Sequence, residues 1–285
     1  MADSRSNGAR PGADQGNTVQ MSLLAESQTI ERELRGRRME LHNSPVAPTF
    51  DSAHLTAIHE RLLGGLALVP GDRRVTNVSP DGERLNRGAP RPDDILKREG
   101  EVFDKLRADG MLQGRTLEQF AEGLAEHVNA LRAIGSFRTG SEHVLAVYAE
   151  QVADQAGFRL DSNRIPSKLL QATSPSEASP SHVGKLRNQF RAHATPHSAL
   201  AFREARETGH RDAAIDLHPE LAGAFAQADF AMAQMERSAN QTTAWTQYDR
   251  TMKEIQRRLD EGQKVEPPGE LLNSQGPRRG IDMVM

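Results

Sequence analysis

The chain has 285 residues, enough for one or two compact domains with a sizeable core. Its 36 Lys and Arg stand against 39 Asp and Glu, so the formal charge of −3 gives no general nucleic-acid-binding character. The absence of cysteine excludes disulfides and thiolate metal sites, and no apolar run approaches the roughly 18 residues of a membrane span.

Residues 1–20 are Gly, Ser, Asn and Asp with almost no apolar content, and they predict a disordered tail. Their composition also permits a signal for a secretion machine that engages unfolded N-termini. A cleavable secretory signal is not expected, because the apolar core of one is missing. From Ser22 the pattern turns helical, with Leu24, Ile30, Leu34 and Leu41 near one face up to the break at Pro45 and Pro48. After Phe50-Asp51, the stripe Leu55, Ile58, Leu62 and Leu63 predicts a helix ended by Gly64-Gly65. The short β-prone piece Arg74 to Val78, with a turn at Pro80-Asp81-Gly82, predicts a small hairpin flap.

Pro92-Asp93-Asp94 opens the next helix, with Ile95, Val102, Phe103 and Leu106 on one face. Thr116 and Gln119 have capping-box spacing, and Leu117, Phe120, Leu124, Val128 and Leu131 follow as a long apolar stripe. A loop is expected at 135–141. Val144, Leu145, Tyr148 and Val152 then mark a helix closed by Gly157. Residues 171–182 read as a polar linker, followed by two short helices near 182–193 and 196–208. A helical hairpin comes next. Its first arm, from Pro219, carries Leu221, Phe225, Met232 and Met235. Its second carries Trp245, Tyr248, Met252, Ile255 and Leu259, and Pro267-Pro268 ends it.

Two stretches resemble the Fic (Fido) family. Members commonly show an F-D-x-x-H-L-x-x-I-H helix, an aromatic turn, an arginine and a flap strand. Here stand Phe50, Asp51, His54, Leu55, Ile58 and His59, then Gly71, Arg74 and the strand Val75 to Val78, with Ala67, Val69 and Pro70 in place of the aromatic turn. Members also read L-N-A-I-H-P-F-R-E-G-N-G-R and a helix ending A-G-Y-R-L. Here Leu131-Arg132-Ala133-Ile134-Gly135-Ser136-Phe137-Arg138-Thr139-Gly140-Ser141-Glu142-His143 runs without a gap into a helix ending Ala156-Gly157-Phe158-Arg159-Leu160.

The resemblance implies an all-α fold, a Fic-type helical core with a small β-hairpin flap, and the apolar spacing adds a C-terminal helical hairpin that lies outside the resemblance. The expected divisions are a tail at 1–20, a Fic-like domain at 21–195, a helical region at 196–265 and a second disordered tail at 266–285. It further implies transfer of a nucleotidyl group, usually AMP from ATP, to a protein hydroxyl. That chemistry uses a histidine base, a carboxylate for Mg²⁺, a glycine turn at a helix N-terminus for the phosphates and an arginine on phosphate oxygens. At those positions stand Gly135 for the base, Thr139 for the acid, Ser141 and Glu142 for Asn-Gly, and His143 for the arginine. A second family arginine is Ala146, and of the loop's anchoring and phosphate-turn positions Phe137 and Gly140 are kept. A lost base alone costs typically 10²–10⁴ in rate. The expectation is therefore a catalytically degenerate member, a pseudoenzyme acting through a protein partner, with no cofactor and no metal.

Ser141 and Glu142 also suit a helix start, with Ser141 as the N-cap. The alternative is a rewritten site in which Glu142, His143 and Ser141 serve an atypical AMP transferase. ATP and Mg²⁺ would then bind, with Val75, Thr76 and Asn77 as flap contacts. Such a protein would act in a bacterial cytoplasm, or in a host cell as a secreted effector, and no membrane or nucleic-acid partner is expected.

Three further features invite a role. His54 and His59, five apart, do not share a helix face and match ordinary structural positions of the family. Ser27 and Glu31 have the spacing of the family's inhibitory helix, whose glutamate reaches the motif arginine, here His143. Arg35, Arg37 and Arg38 form a basic cluster that reads as plain surface or as a contact for an acidic partner.

Overall fold

The computed structural model describes residues 29–66, 91–137, 139–171 and 179–269. The expected flap, with Val75, Thr76 and Asn77, lies outside these residues, as do Leu24, Ser27 and the tail at 1–20.

Helix α1 spans 29–43 and buries Leu34 and Leu41. Helix α2 (Ser52–Leu63) starts where the sequence signals it. The Asp51 carboxylate accepts from the His54 amide at 2.9 Å, one of the donors a helix start leaves unpaired. The end of α2 is held by Arg37, whose guanidinium donates to the carbonyls of Leu62 and Gly64 and pairs with Glu33. A cation at a helix C-terminus also offsets the macrodipole.

Helix α3 (Ile95–Ala108) lays Ile95, Phe103 and Leu106 on helix α4 (Leu117–Ile134). The capping box at Thr116 and Gln119 is formed in both directions. Helix α5 (Ser141–Gln155) has Val144 to Ala149, Val152 and Ala153 buried, nearly all round, because it runs through the centre of the domain between α2 and α4.

Two strands follow that the hydrophobic pattern did not announce. β1 (Phe158–Leu160) pairs antiparallel with β2 (Ala194–Pro196), and Arg159 lies opposite Thr195. Phe158 stacks on Phe120 of α4 with centroids 4.1 Å apart, which pins the ribbon to the core. Helix α6 (Pro180–His193) lies between the strands in sequence and packs on α4. It begins two residues before the sequence expectation, with Pro180 in the first helical turn.

Beyond β2 come α7 (His197–Thr208), α8 (Arg211–Leu217), α9 (Leu221–Arg237) and α10 (Gln241–Asp260). Helix α8 was not expected from the sequence. Among the described residues the apolar interior falls into two clusters. One runs from Leu34 to Ala194, and the other, from Ala199 to Val265, includes Phe202, Leu221, Phe225, Ile255 and Leu259. The Leu117 amide donates to the Glu261 carbonyl at 2.9 Å and ties them together. After α10 the chain doubles back, so that Val265 is buried and Gln227 Nε2 donates to the Glu266 carbonyl.

One expected stripe is corrected. Trp245 is 55% exposed, and the interior face of α10 runs through Ala244, Met252, Ile255 and Leu259. Among the described residues its ring meets the Tyr248 ring edge-on. The buried position at the start of the helix is taken by Ala244, one residue earlier, and Trp245 points about 100° away from it.

Candidate functional site

The loop between α4 and α5 holds every motif position singled out in the sequence. Helix α4 ends at Gly135, whose φ of 60° and ψ of 60° are left-handed and whose amide closes the last turn on the Leu131 carbonyl. Gly135 is thus a helix terminator, and it has no side chain to take a proton.

Phe137 is 5% exposed, as its position promised, and its partner is His59. The two rings stack 4.3 Å apart at 19°, and His59 Nε2 donates to the Thr139 carbonyl at 3.1 Å. His59 is fully buried, so α2 grips the loop from beneath with a side chain that packs and hydrogen-bonds at once. Sequence reasoning had left His59 as an ordinary structural position, and the signal for the stack was the pairing of the two motifs rather than either alone.

Gly140, with φ of 71°, is the N-cap of α5 and lies against Leu63. A Cβ there would come within 2.3 Å of Leu63 Cδ1, so Gly140 is demanded by both conformation and space. The expected N-cap, Ser141, is one residue too late. It already lies inside the helix, and its hydroxyl donates back to the Phe137 carbonyl at 3.4 Å. The glycine takes the cap because the left-handed turn into α5 falls at 140. Glu142 sits in the first turn as expected, and its Oε1 is 3.8 Å from His143 Nε2. Both side chains are about a quarter exposed. Thr139 is exposed and offers a hydroxyl, not a carboxylate. Ala146 is buried.

Behind the loop a cavity of about 10 Å³ is lined by Leu55, Arg132, Gly135, Phe137, Ser141 and Leu145. That is room for about one water. Arg132 is buried against it, its guanidinium donating to Asn129 Oδ1 at 3.0 Å and to the Gln171 carbonyl at 3.3 Å. Among the described residues no group of three or more His, Asp or Glu could hold a metal ion.

The other candidates sort themselves by geometry. His54 Nδ1 accepts from the Phe50 amide at 3.2 Å, so Nε2 carries the proton and donates to Gln151 Oε1. Burial lowers the His54 pKa, opposed by the Gln151 hydrogen bond and the Asp51 charge. His54, Phe50 and Tyr148 meet edge-on, and Tyr148 bonds His127 at 2.9 Å. Burial, aided by the Lys105 charge, lowers His127 to about 4, and burial pushes Tyr148 up. This is a neutral, packed polar chain across the core. It engages both ring nitrogens of His54 in packing contacts of the core. Glu31 is exposed on α1, and the ion-pair partner of His143 is Glu142. Of the basic cluster, Arg37 caps α2, Arg38 bonds Ser162 and pairs with Glu150 at 3.5 Å, and Arg35 is exposed.

The order of these parts is that of a Fic domain: a capped helix crossing beneath, a glycine-bounded loop and a buried helix behind it. Comparison with known proteins agrees. The chain is 23% identical over 138 residues to the protein adenylyltransferase VbhT of Bartonella schoenbuchensis, a match covering 48% of this chain and 28% of that protein. The chain therefore matches little more than a quarter of the curated relative's length.

Among solved structures, the N-terminal Fic domain of a VirB-translocated Bep effector from Bartonella quintana, with bound ADP, superposes with a TM-score of 0.52. Identity is 20%, over 62% of this chain and 88% of that one. The type IV secretion system effector BepA superposes with a TM-score of 0.51 at 21% identity, over 65% and 67% of the two chains. No protein-family model matches the chain. The chain has the Fic-type helical fold, and the sequence resemblance to the Fic family is supported by both kinds of comparison. No helix among the described residues is long and apolar enough to cross a membrane.

Proposed function

We propose that this protein is a catalytically degenerate Fic-fold protein that works by binding a protein partner, as a secreted bacterial effector or as a regulator of an active Fic protein. The observation that carries the reading is Gly135. The position that would hold the base is a left-handed helix terminator without a side chain. The neighbouring substitutions act in the same direction. Thr139 gives no carboxylate for a divalent cation, and Glu142 adds negative charge where a polyphosphate would meet the start of α5. What remains of the loop serves packing: Phe137 on His59, Gly140 on Leu63 and Ser141 on the Phe137 carbonyl. Structures similar to it in fold include translocated effectors, which supports the secreted alternative over a housekeeping role.

The test is incubation of the purified protein, alone and with bacterial and host lysates, with labelled ATP and Mg²⁺ or Mn²⁺. The expected result is no transfer of AMP. Robust labelling that disappears in Glu142→Ala would overturn the proposal in favour of an atypical adenylyltransferase. One observation favours that second reading: Glu142 and His143 lie side by side and partly open at the start of α5, an acid and a base within reach of one ligand. ATP and Mg²⁺ belong to that reading alone.

A further inference from the structure

Helix α1 shows a face that the loop at 135–143 does not use. Arg35, Arg38, Met39 and His42 recur at spacings of three, four and seven, so they share one side of the helix. All four line a groove of about 510 Å³ whose far wall is the β1–β2 ribbon. From that wall come Arg159, Asp161, His193 and Thr195. The size is within the 300–1,000 Å³ usual for small-molecule sites.

The charges in this groove do not cancel. Glu150 is already engaged, its Oε1 accepting from the Ser162 amide, the Ser162 hydroxyl and the Arg38 guanidinium. Asp161, which also lines the groove, pairs with Arg164 at 3.1 Å. The guanidiniums of Arg35 and Arg159 have no hydrogen bond or ion pair with any described residue. A lone surface arginine is ordinary. Two unpaired guanidiniums facing one concavity, brought together from α1 and β1, are a focused positive field. The concavity also has an apolar component in Met39, Leu160 and Leu200. Paired guanidiniums match the oxygens of a phosphate, and the apolar wall suits an organic group attached to it.

We propose that this groove binds a small organic phosphate, with Arg35 and Arg159 as its anion ligands. The site is separate from the α4–α5 loop, so it stands whether or not the loop is catalytically dead.

Titration calorimetry on the full chain with phenyl phosphate, inorganic phosphate and phenol tests it. Phenyl phosphate should bind saturably with a Kd below about 1 mM, inorganic phosphate more weakly, and phenol not at all. Raising the salt concentration should weaken binding. The double variant Arg35→Ala/Arg159→Ala should lose at least about tenfold in affinity with its melting temperature unchanged, since neither side chain holds the fold. Arg250→Ala, on the exposed side of α10, should bind as the parent does. Absence of saturable phosphate binding in the parent would overturn the proposal, as would equal affinity in parent and double variant. So would much tighter capture of a single-stranded RNA oligonucleotide that depends on the same two arginines.

Discussion

Truncating Phe137 to alanine tests whether the loop has kept its structural role after losing its chemistry. The ring is 5% exposed and stacks on a fully buried His59, with Leu55, Arg132 and Leu145 around the same small cavity. Removing a buried phenylalanine side chain costs about 3–5 kcal/mol, because lost transfer energy is joined by the void left behind. The void here would grow from space for a single water, and His59 would lose the ring that holds its imidazole against the Thr139 carbonyl. For a folded region of this size each kcal/mol lowers the melting temperature by about 2–4 °C, so the expected fall is roughly 6–20 °C. Far-ultraviolet circular dichroism is the suitable readout. Trp245 fluorescence would report on the exposed start of α10 instead. A change below about 2 °C would refute both the burial and the alignment of Phe137 with the family's motif phenylalanine.

Three other outcomes follow from the same geometry. Gly135→His restores the family residue but places it at a left-handed φ, so it should cost about 1–2 kcal/mol in chemical denaturation and restore no AMP transfer; recovered transfer would show an intact nucleotide site. Gly140→Ala meets Leu63 Cδ1 at 2.3 Å and adds left-handed strain, so it should destabilise by about 2–4 kcal/mol, and a neutral result would contradict the packing of α5 on α2. His127 has its folded pKa depressed from 6.5 to about 4 by burial, so the unfolded chain binds the extra proton in that window. Stability should fall as pH drops from about 6.5 to 4, by on the order of 3 kcal/mol from this group, with His54 adding in the same direction. His127→Gln should flatten the profile measured by urea melts at pH 4.5 and 7, whereas an unchanged slope would assign the acid sensitivity elsewhere.

The helices were legible in the sequence because their signals are local. The stripes of α2, α4 and α5 and the Thr116–Gln119 capping box each lie within a few turns of chain, and each formed where it was read. The Fic-type order of elements followed from two such stretches. What those stretches meant to each other was decided only in three dimensions. The stack of His59 on Phe137 joins residues nearly 80 apart, and the β1–β2 ribbon closes around a whole helix; neither leaves a periodic trace. The same holds for errors of one residue. Ser141 has the chemistry of an N-cap, but the turn into α5 needs a left-handed residue with no Cβ against Leu63, and Gly140 takes the place. Trp245 has nearly the spacing of a core residue, but Ala244, one residue earlier, takes the buried position and leaves the indole outside. The basic cluster Arg35, Arg37 and Arg38 is one feature in sequence and two in the fold: Arg35 and Arg38, three apart, share the side that faces the groove, whereas Arg37 turns away from them to the end of α2.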